Sequence, residues 1–198
     1  MSAHFSQDSA PISVKIVISG GFAVGKTTFV GSISEIEPLK TEAEITVESI
    51  GVDNAGPVTG KTGTPVAMDF GRITIAHDMV LYLFGTPGQD RFAFLWDDLV
   101  DGALGAIVLL DTRRIEDCFP AIDYFEEHEI PFLIGVNTFE QAQRFDLDEV
   151  RDALGIGPDV PVLECDARRR ESVKQILVAL TEEVLAKRLS RQRPVPTW

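Results

Sequence analysis

The sequence predicts an α/β protein of three layers, with a mixed, six-stranded, mostly parallel sheet carrying helices on both faces. Three observations lead there. Strand and helix patterns alternate from residue 104 onward, as successive βαβ units do. The run LGAIVLL at 104–110 is continuously apolar, as expected of a strand buried on both faces. Two β-rich segments, PVAMDFGRITI at 65–75 and VLYLFG at 80–85, flank a short turn at 76–79. They read as a hairpin that adds an antiparallel edge.

Taken in order, VKIVIS at 14–19 is a short, largely β-branched run and predicts a buried strand. A helix is expected over 26–36. Residues 37–64 are rich in Glu and Thr, then in Gly, without a sustained period. So long a connection in a compact domain points to a functional loop. After the hairpin, helices are expected at 90–101, near 115–128, near 146–154 and near 170–188, and strands at 132–137 and 161–165. This organises the chain as one domain over 13–188, with a flexible tail at 1–12 and a second tail at 189–198.

The 198 residues are enough to bury a core without disulfides or metals. The formal net charge of −13 argues against a nucleic-acid binder. It also requires any phosphate site to be local and preorganised. No apolar run approaches the roughly 18 residues of a membrane helix, and the first residues lack the pattern of a secretory leader. Two cysteines without metal-ligand spacing fit a reducing compartment. The expected location is cytoplasmic, with peripheral contact at the inner membrane face through partners.

Gly20-Gly21-Phe22-Ala23-Val24-Gly25-Lys26-Thr27 matches GxxxxGK[ST], between a predicted strand and a predicted helix. Glycines let the backbone wrap closely, so that its N–H groups converge on phosphate oxygens. The helix that follows aims its positive end at the same anion. Gly20, Phe22, Ala23, Val24, Gly25 and Thr28 are therefore candidate nucleotide contacts. Lys26 is expected on the β- and γ-phosphates and Thr27 on Mg²⁺. The α/β prediction thereby becomes a P-loop NTPase fold.

Three further segments follow in order. Gly85-Thr86-Pro87-Gly88-Gln89-Asp90-Arg91 comes after the strand at 80–85. Gly88 is suited to offer its N–H to a γ-phosphate, Gln89 to orient an attacking water, and Arg91 to stabilise charge from within the chain. Asn137-Thr138-Phe139-Glu140 ends the strand at 132–137. A carboxylate there can accept both N1–H and the 2-amino group of guanine, whereas adenine presents an unpaired acceptor at a cost of a few kcal/mol. Cys165-Asp166-Ala167-Arg168 follows the strand at 161–165.

Together these segments resemble the Ras-like small GTPases, over about 14–188. The sequences ESIGVDNAGPVTGKTGTPVAMDFGRI, LYLFGTPGQDRFAFLWDDLVDGA and ECDAR are similar to the bacterial branch of gliding-motility (MglA-type) and conservon-encoded GTPases. The resemblance implies a GTP/GDP switch that uses Mg²⁺ and works beside a roadblock (LC7-type) regulatory protein and, in conservons, a membrane sensor kinase. It places Asp166, Ala167 and Arg168 where the family carries S-A-K, with the Ala167 N–H toward the guanine carbonyl, and Asn137, Phe139 and Glu140 where it carries N-K-x-D.

Three departures from the family pattern stand out. Gly85 occupies the place of a Mg²⁺-side Asp. Asp69 is the candidate substitute. With a two-residue turn at His77-Asp78, however, a regular register sets Asp69 opposite Thr86, on the other pleat face from Gly85, unless a bulge intervenes. Thr138 replaces a Lys whose stem covers the base, leaving Phe139 to cover some of that surface. Glu140 is one methylene longer than the usual Asp. In the loop before the hairpin, Thr64 is the first candidate and Thr62 the second for the switch hydroxyl that binds Mg²⁺ only in the triphosphate state. The expected chemistry is slow in-line hydrolysis of GTP, with Lys26 and Gln89 as catalytic residues. The alternatives are a nucleotide-holding pseudo-GTPase and a P-loop ATPase or kinase.

Overall fold

The computed structural model describes residues 11–37, 39–45, 64–88, 94–140 and 142–191. Its sheet has seven strands in the order β2-β3-β4-β1-β5-β6-β7. These are β1 (Ile12–Gly20), β2 (Leu39–Ile45), β3 (Thr64–Ala76), β4 (Met79–Gly85), β5 (Gly105–Leu110), β6 (Phe132–Asn137) and β7 (Val162–Cys165). The pairs β2–β3 and β3–β4 are antiparallel, and all others are parallel. The class is the expected one; the strand count is one higher. The additional strand, β2, opens the segment read as a loop from residue 37. Its sequence, LKTEAEI, alternates uncharged and charged residues, a period-two signal masked by Glu and Lys, which favour helices.

Alternation across the central strands divides the core into two layers. On one side Ile16, Ile18, Ile107, Leu109 and Leu133 meet α1 (Lys26–Ile33) and α5 (Arg170–Arg191) through Phe29, Val30, Val173, Ile176 and Leu180. On the other side Val17, Ala106, Val108, Leu110 and Ile134 meet α3 (Phe119–Glu127) and α4 (Leu147–Leu154) through Ile122, Phe125, Val150 and Leu154. Trp96, the first residue of the short helix α2 (Trp96–Val100), joins this second layer. Both faces of β5 are covered, which is why its sequence reads as an unbroken apolar run.

Helix boundaries differ from the sequence expectation where side chains compete with the backbone. α1 stops at Ile33 rather than residue 36. The Ser34 hydroxyl donates to the Ile36 carbonyl at 2.8 Å and accepts from the Arg72 N–H at 3.2 Å, giving the chain an alternative to another helical turn. The helix expected at 115–128 is a 3-10 turn, Ile115–Cys118, followed by α3. Pro120 sits at the start of α3, where its missing N–H costs nothing. α4 begins in a capping box between Asp146 and Glu149 and ends at Gly155, with φ 65°. Of the helix expected at 90–101, residues 96–100 are α2, and 89–93 lie outside the described residues.

Candidate functional site

The phosphate loop, Gly88 and Asp69 meet at the C-terminal ends of β1 and β4. The loop leaves β1 at Gly20, whose φ is 128°, and a Cβ there would sit 2.3 Å from the Leu109 carbonyl oxygen. Only glycine fits that approach. The loop re-enters a helix at Gly25, with φ 108°, directly before α1. Ala23 holds a left-handed φ of 60°, an uncommon conformation for a residue with a Cβ.

The side chain of Lys26 folds back over the loop. Its Nζ donates to the carbonyls of Gly20 and Gly21 at 2.7 and 2.8 Å. The residue is 8% exposed. Burial lowers its pKa to about 8, against the opposing pull of Asp69 and Asp117. Gly88 closes on the same place: a Cβ there would meet Lys26 Nζ at 2.8 Å and Phe22 Cα at 2.9 Å. Its backbone is thus against the phosphate loop, where a side chain has no room.

The β3–β4 register answers the question left by Gly85. The turn is the two-residue His77-Asp78 turn, and Ala76 pairs with Met79. A bulge between Thr74 and Ala76 then slips the register by one, so that Asp69 pairs with Gly85 and not with Thr86. Residues directly opposite in an antiparallel pair share a face. Asp69 therefore stands on the face of Gly85, and a Cβ on Gly85 would lie 3.0 Å from the Asp69 Cβ. The Asp69 carboxylate accepts from the Thr27 hydroxyl at 2.7 Å. Two hard oxygen groups, hydroxyl and carboxylate, are thus adjacent beside the phosphate loop, a donor set suited to Mg²⁺. Among the described residues no group of three His, Cys, Asp or Glu side chains forms a self-contained metal site. The remaining ligands would be nucleotide and water oxygens.

Asn137, at the end of β6, is buried and bonded through both ends of its amide. Its Nδ2 donates to the Val24 carbonyl at 2.8 Å, and its Oδ1 accepts from the Ala167 N–H at 3.0 Å. One amide thus ties the phosphate loop, β6 and the loop after β7 together. Beyond it opens a cleft of about 380 Å³, with Ala23, Gly25 and Thr28 at one end and Thr138, Phe139, Glu140, Ala167 and Arg168 at the other. That volume lies in the range of small-molecule sites.

Two features of the cleft go beyond the sequence expectation. Glu140 is 83% exposed, and its carboxylate accepts from Arg168 Nη1 at 3.1 Å. Arg168 also grips Asp166 through Nε at 2.9 Å and Nη2 at 3.1 Å. Hydrogen bonding by that guanidinium holds the Asp166 carboxyl below the usual carboxylate range. Asp166 therefore acts on Arg168, while Arg168 holds the carboxylate expected to read the base. The other feature is Arg113, which borders the cleft beside Phe139 and which the sequence motifs do not single out as a site residue.

Of the remaining candidates, Thr64 begins β3, where its backbone pairs with Ile45. Thr62, Gln89 and Arg91 lie outside the described residues.

Comparison with known proteins agrees on the fold. The G domain of the FeoB protein of Methanococcus jannaschii aligns with a TM-score of 0.58 at 16% identity, covering 87% of this chain and 98% of that one. The cytosolic domain of the T. maritima FeoB iron transporter, in a GDP form, aligns at 0.61 and 16% identity, over 94% of this chain and 66% of that one. In sequence, the chain is 25% identical over 195 residues to the Ras-related protein RABC2a of Arabidopsis thaliana, covering 93% of this chain and 84% of that protein. It is 32% identical over 126 residues to an uncharacterised protein of Methanocaldococcus jannaschii, covering 63% of this chain and 69% of that protein. The fold is that of the G domains, within the P-loop NTPases. A family model described as conserved hypothetical ATP-binding proteins matches residues 18–187. The chain belongs to this nucleotide-binding family.

Proposed function

We propose that the protein is a GTP-binding switch that hydrolyses GTP slowly to GDP, of the MglA-type and conservon-encoded branch. The observation that carries this reading is the position of Asp69. A carboxylate stands beside Thr27 in the space that a side chain at Gly85 would need, which supports a Mg²⁺-dependent triphosphate site rather than an inert nucleotide holder. Mg²⁺ bound there would neutralise charge developing on the transferred phosphoryl group. Lys26 releases the Gly20 and Gly21 carbonyls and turns to the β- and γ-phosphates. The Gly88 N–H meets the γ-phosphate, and Gln89 positions water. Thr64 would reach such a metal only if its end of β3 left its pairing with β2 in the triphosphate state, with Thr62 as the alternative hydroxyl. Turnover of this design is slow alone, and a supplied arginine adds roughly 10³–10⁵-fold; Arg91 is the in-chain candidate. A roadblock-type regulator and a membrane sensor kinase are the proposed partners. No helix among the described residues is long and apolar enough to cross a membrane, and any membrane association in this reading runs through those partners.

A second reading, ATP as the ligand, is favoured by the family description and by the pairing of Glu140 with Arg168. Calorimetric titration of nucleotide-free protein with GDP and ADP, with and without Mg²⁺, separates the two. GDP binding at least about 100-fold tighter than ADP binding is expected, a discrimination of the size set by an unpaired buried polar edge. Equal affinities would overturn the guanine reading and move the protein to the ATPase or kinase side.

A further inference from the structure

Thr138 stands where a lysine stem covers the base in the small GTPases that this chain resembles. A threonine side chain is too short to cover a purine face. The cleft wall beside it holds another group of the right shape. Arg113 follows the end of β5, and its guanidinium lies over the Phe139 ring, 4.2 Å from the centroid. It is held there by Asp111, which is 3% exposed. Arg113 Nε donates to Asp111 Oδ1 at 2.9 Å, Nη2 donates to Oδ2 at 2.7 Å, and the Arg113 backbone N–H donates to Oδ1 at 3.0 Å. A bidentate pair to a buried carboxylate fixes both the position and the plane of a guanidinium. The Arg113 side chain remains 47% exposed and borders the cleft.

We infer that Arg113, set on Phe139 and anchored by Asp111, covers one face of the nucleotide base and takes over the part of the missing lysine. This rests on the nucleotide-binding reading above. A guanidinium plane stacks on any flat heterocycle, and this one is ordered before the ligand arrives, so little side-chain freedom is lost on binding. The stack contributes affinity for either purine and leaves the choice between them to Glu140 and Arg168. The proposal differs from a phosphate-binding role: its contribution requires the base.

Arg113→Lys keeps a cation against Asp111 and removes the plane. Arg113→Gln removes both the cation and the guanidinium plane while keeping a donor for Asp111, and it serves if the first variant does not fold. Affinities for GDP and for inorganic pyrophosphate, the latter by displacement, are measured for both variants and the wild type. Each variant is expected to bind GDP about tenfold more weakly, the scale of a stacked base, with pyrophosphate binding unchanged. An equal loss for GDP and pyrophosphate would overturn the inference in favour of a phosphate-side charge. Unchanged GDP affinity would reduce Arg113 to a structural partner of Asp111. Failure of the wild-type chain to bind any purine nucleotide would overturn the nucleotide reading itself, and this inference with it.

Discussion

At Gly85 a side chain would begin 3.0 Å from the Asp69 Cβ, so only one of the two positions has room for a carboxylate. An exchange tests whether they are equivalent. Asp69→Ala is expected to weaken Mg²⁺-dependent GTP binding by about tenfold or more, the scale of one charged contact. Adding Gly85→Asp to that variant is expected to restore part of the loss, whereas Gly85→Asp alone should clash and destabilise. Mg²⁺ titrations of GTP binding read both effects, and a double variant no better than Asp69→Ala would sink the equivalence. Lys26 gives a pH prediction of definite sign. Its pKa is lowered to about 8 by burial in the free protein, and a bound phosphate raises it again. Above pH 8 the free form loses the proton that the bound form keeps, so nucleotide affinity falls as pH rises, approaching about tenfold per pH unit. Calorimetry in buffers of different ionisation enthalpy should show proton uptake on binding above pH 8. Affinity independent of pH from 7 to 9.5 would contradict this assignment.

Among the elements, the joint at Asn137 carries the most. Its amide links the phosphate loop after β1, the end of β6 and the loop after β7, which gives the phosphate and base ends of the cleft a fixed relation. Asn137→Ala leaves the Val24 carbonyl and the Ala167 N–H without their partner. A stability loss of about 2–3 kcal/mol is expected from these two buried groups, readable by urea denaturation. Nucleotide affinity should fall more than phosphate-side substitutions alone predict, because both ends of the cleft lose their registration. A variant of wild-type stability would show that water replaces the amide at both ends. The β3–β4 hairpin shows the same dependence on an element's geometry. Its bulge between Thr74 and Ala76 lies several residues from Asp69, yet it decides which face of the sheet that carboxylate occupies.

Across the molecule, the two core layers flank one sheet and share its strands. Leu180, on α5, is fully buried in the layer with α1, and Phe125, on α3, is fully buried in the other. Leu180→Ala is expected to cost about 2–5 kcal/mol and Phe125→Ala about 3–5 kcal/mol. Because the two sites lie in different layers, their effects should add to within about 0.5 kcal/mol. Chemical denaturation of the single and double variants checks this. Strong non-additivity would mean that the sheet transmits strain between its faces.

How much of this was legible in the sequence follows from how local each signal is. The phosphate loop, the hairpin and the strand ends carrying Asn137 and Ala167 are read from neighbouring residues. Turn chemistry, β-branched runs and glycine spacing act within a few positions. The sequence alone therefore determined the α/β class, the order of the parallel strands' elements and the place of the phosphate site. Tertiary structure decided three things. A bulge moved Asp69 onto the face of Gly85. An ion pair closed Arg168 onto Glu140 at the cleft. A buried carboxylate and a ring from another strand end held Arg113 at the border of the cleft. Each joins residues far apart in the chain or depends on strand register, and none of the three can be summed from local propensity. A one-residue slip changes the face, and a side chain pairs with whatever the fold brings within reach.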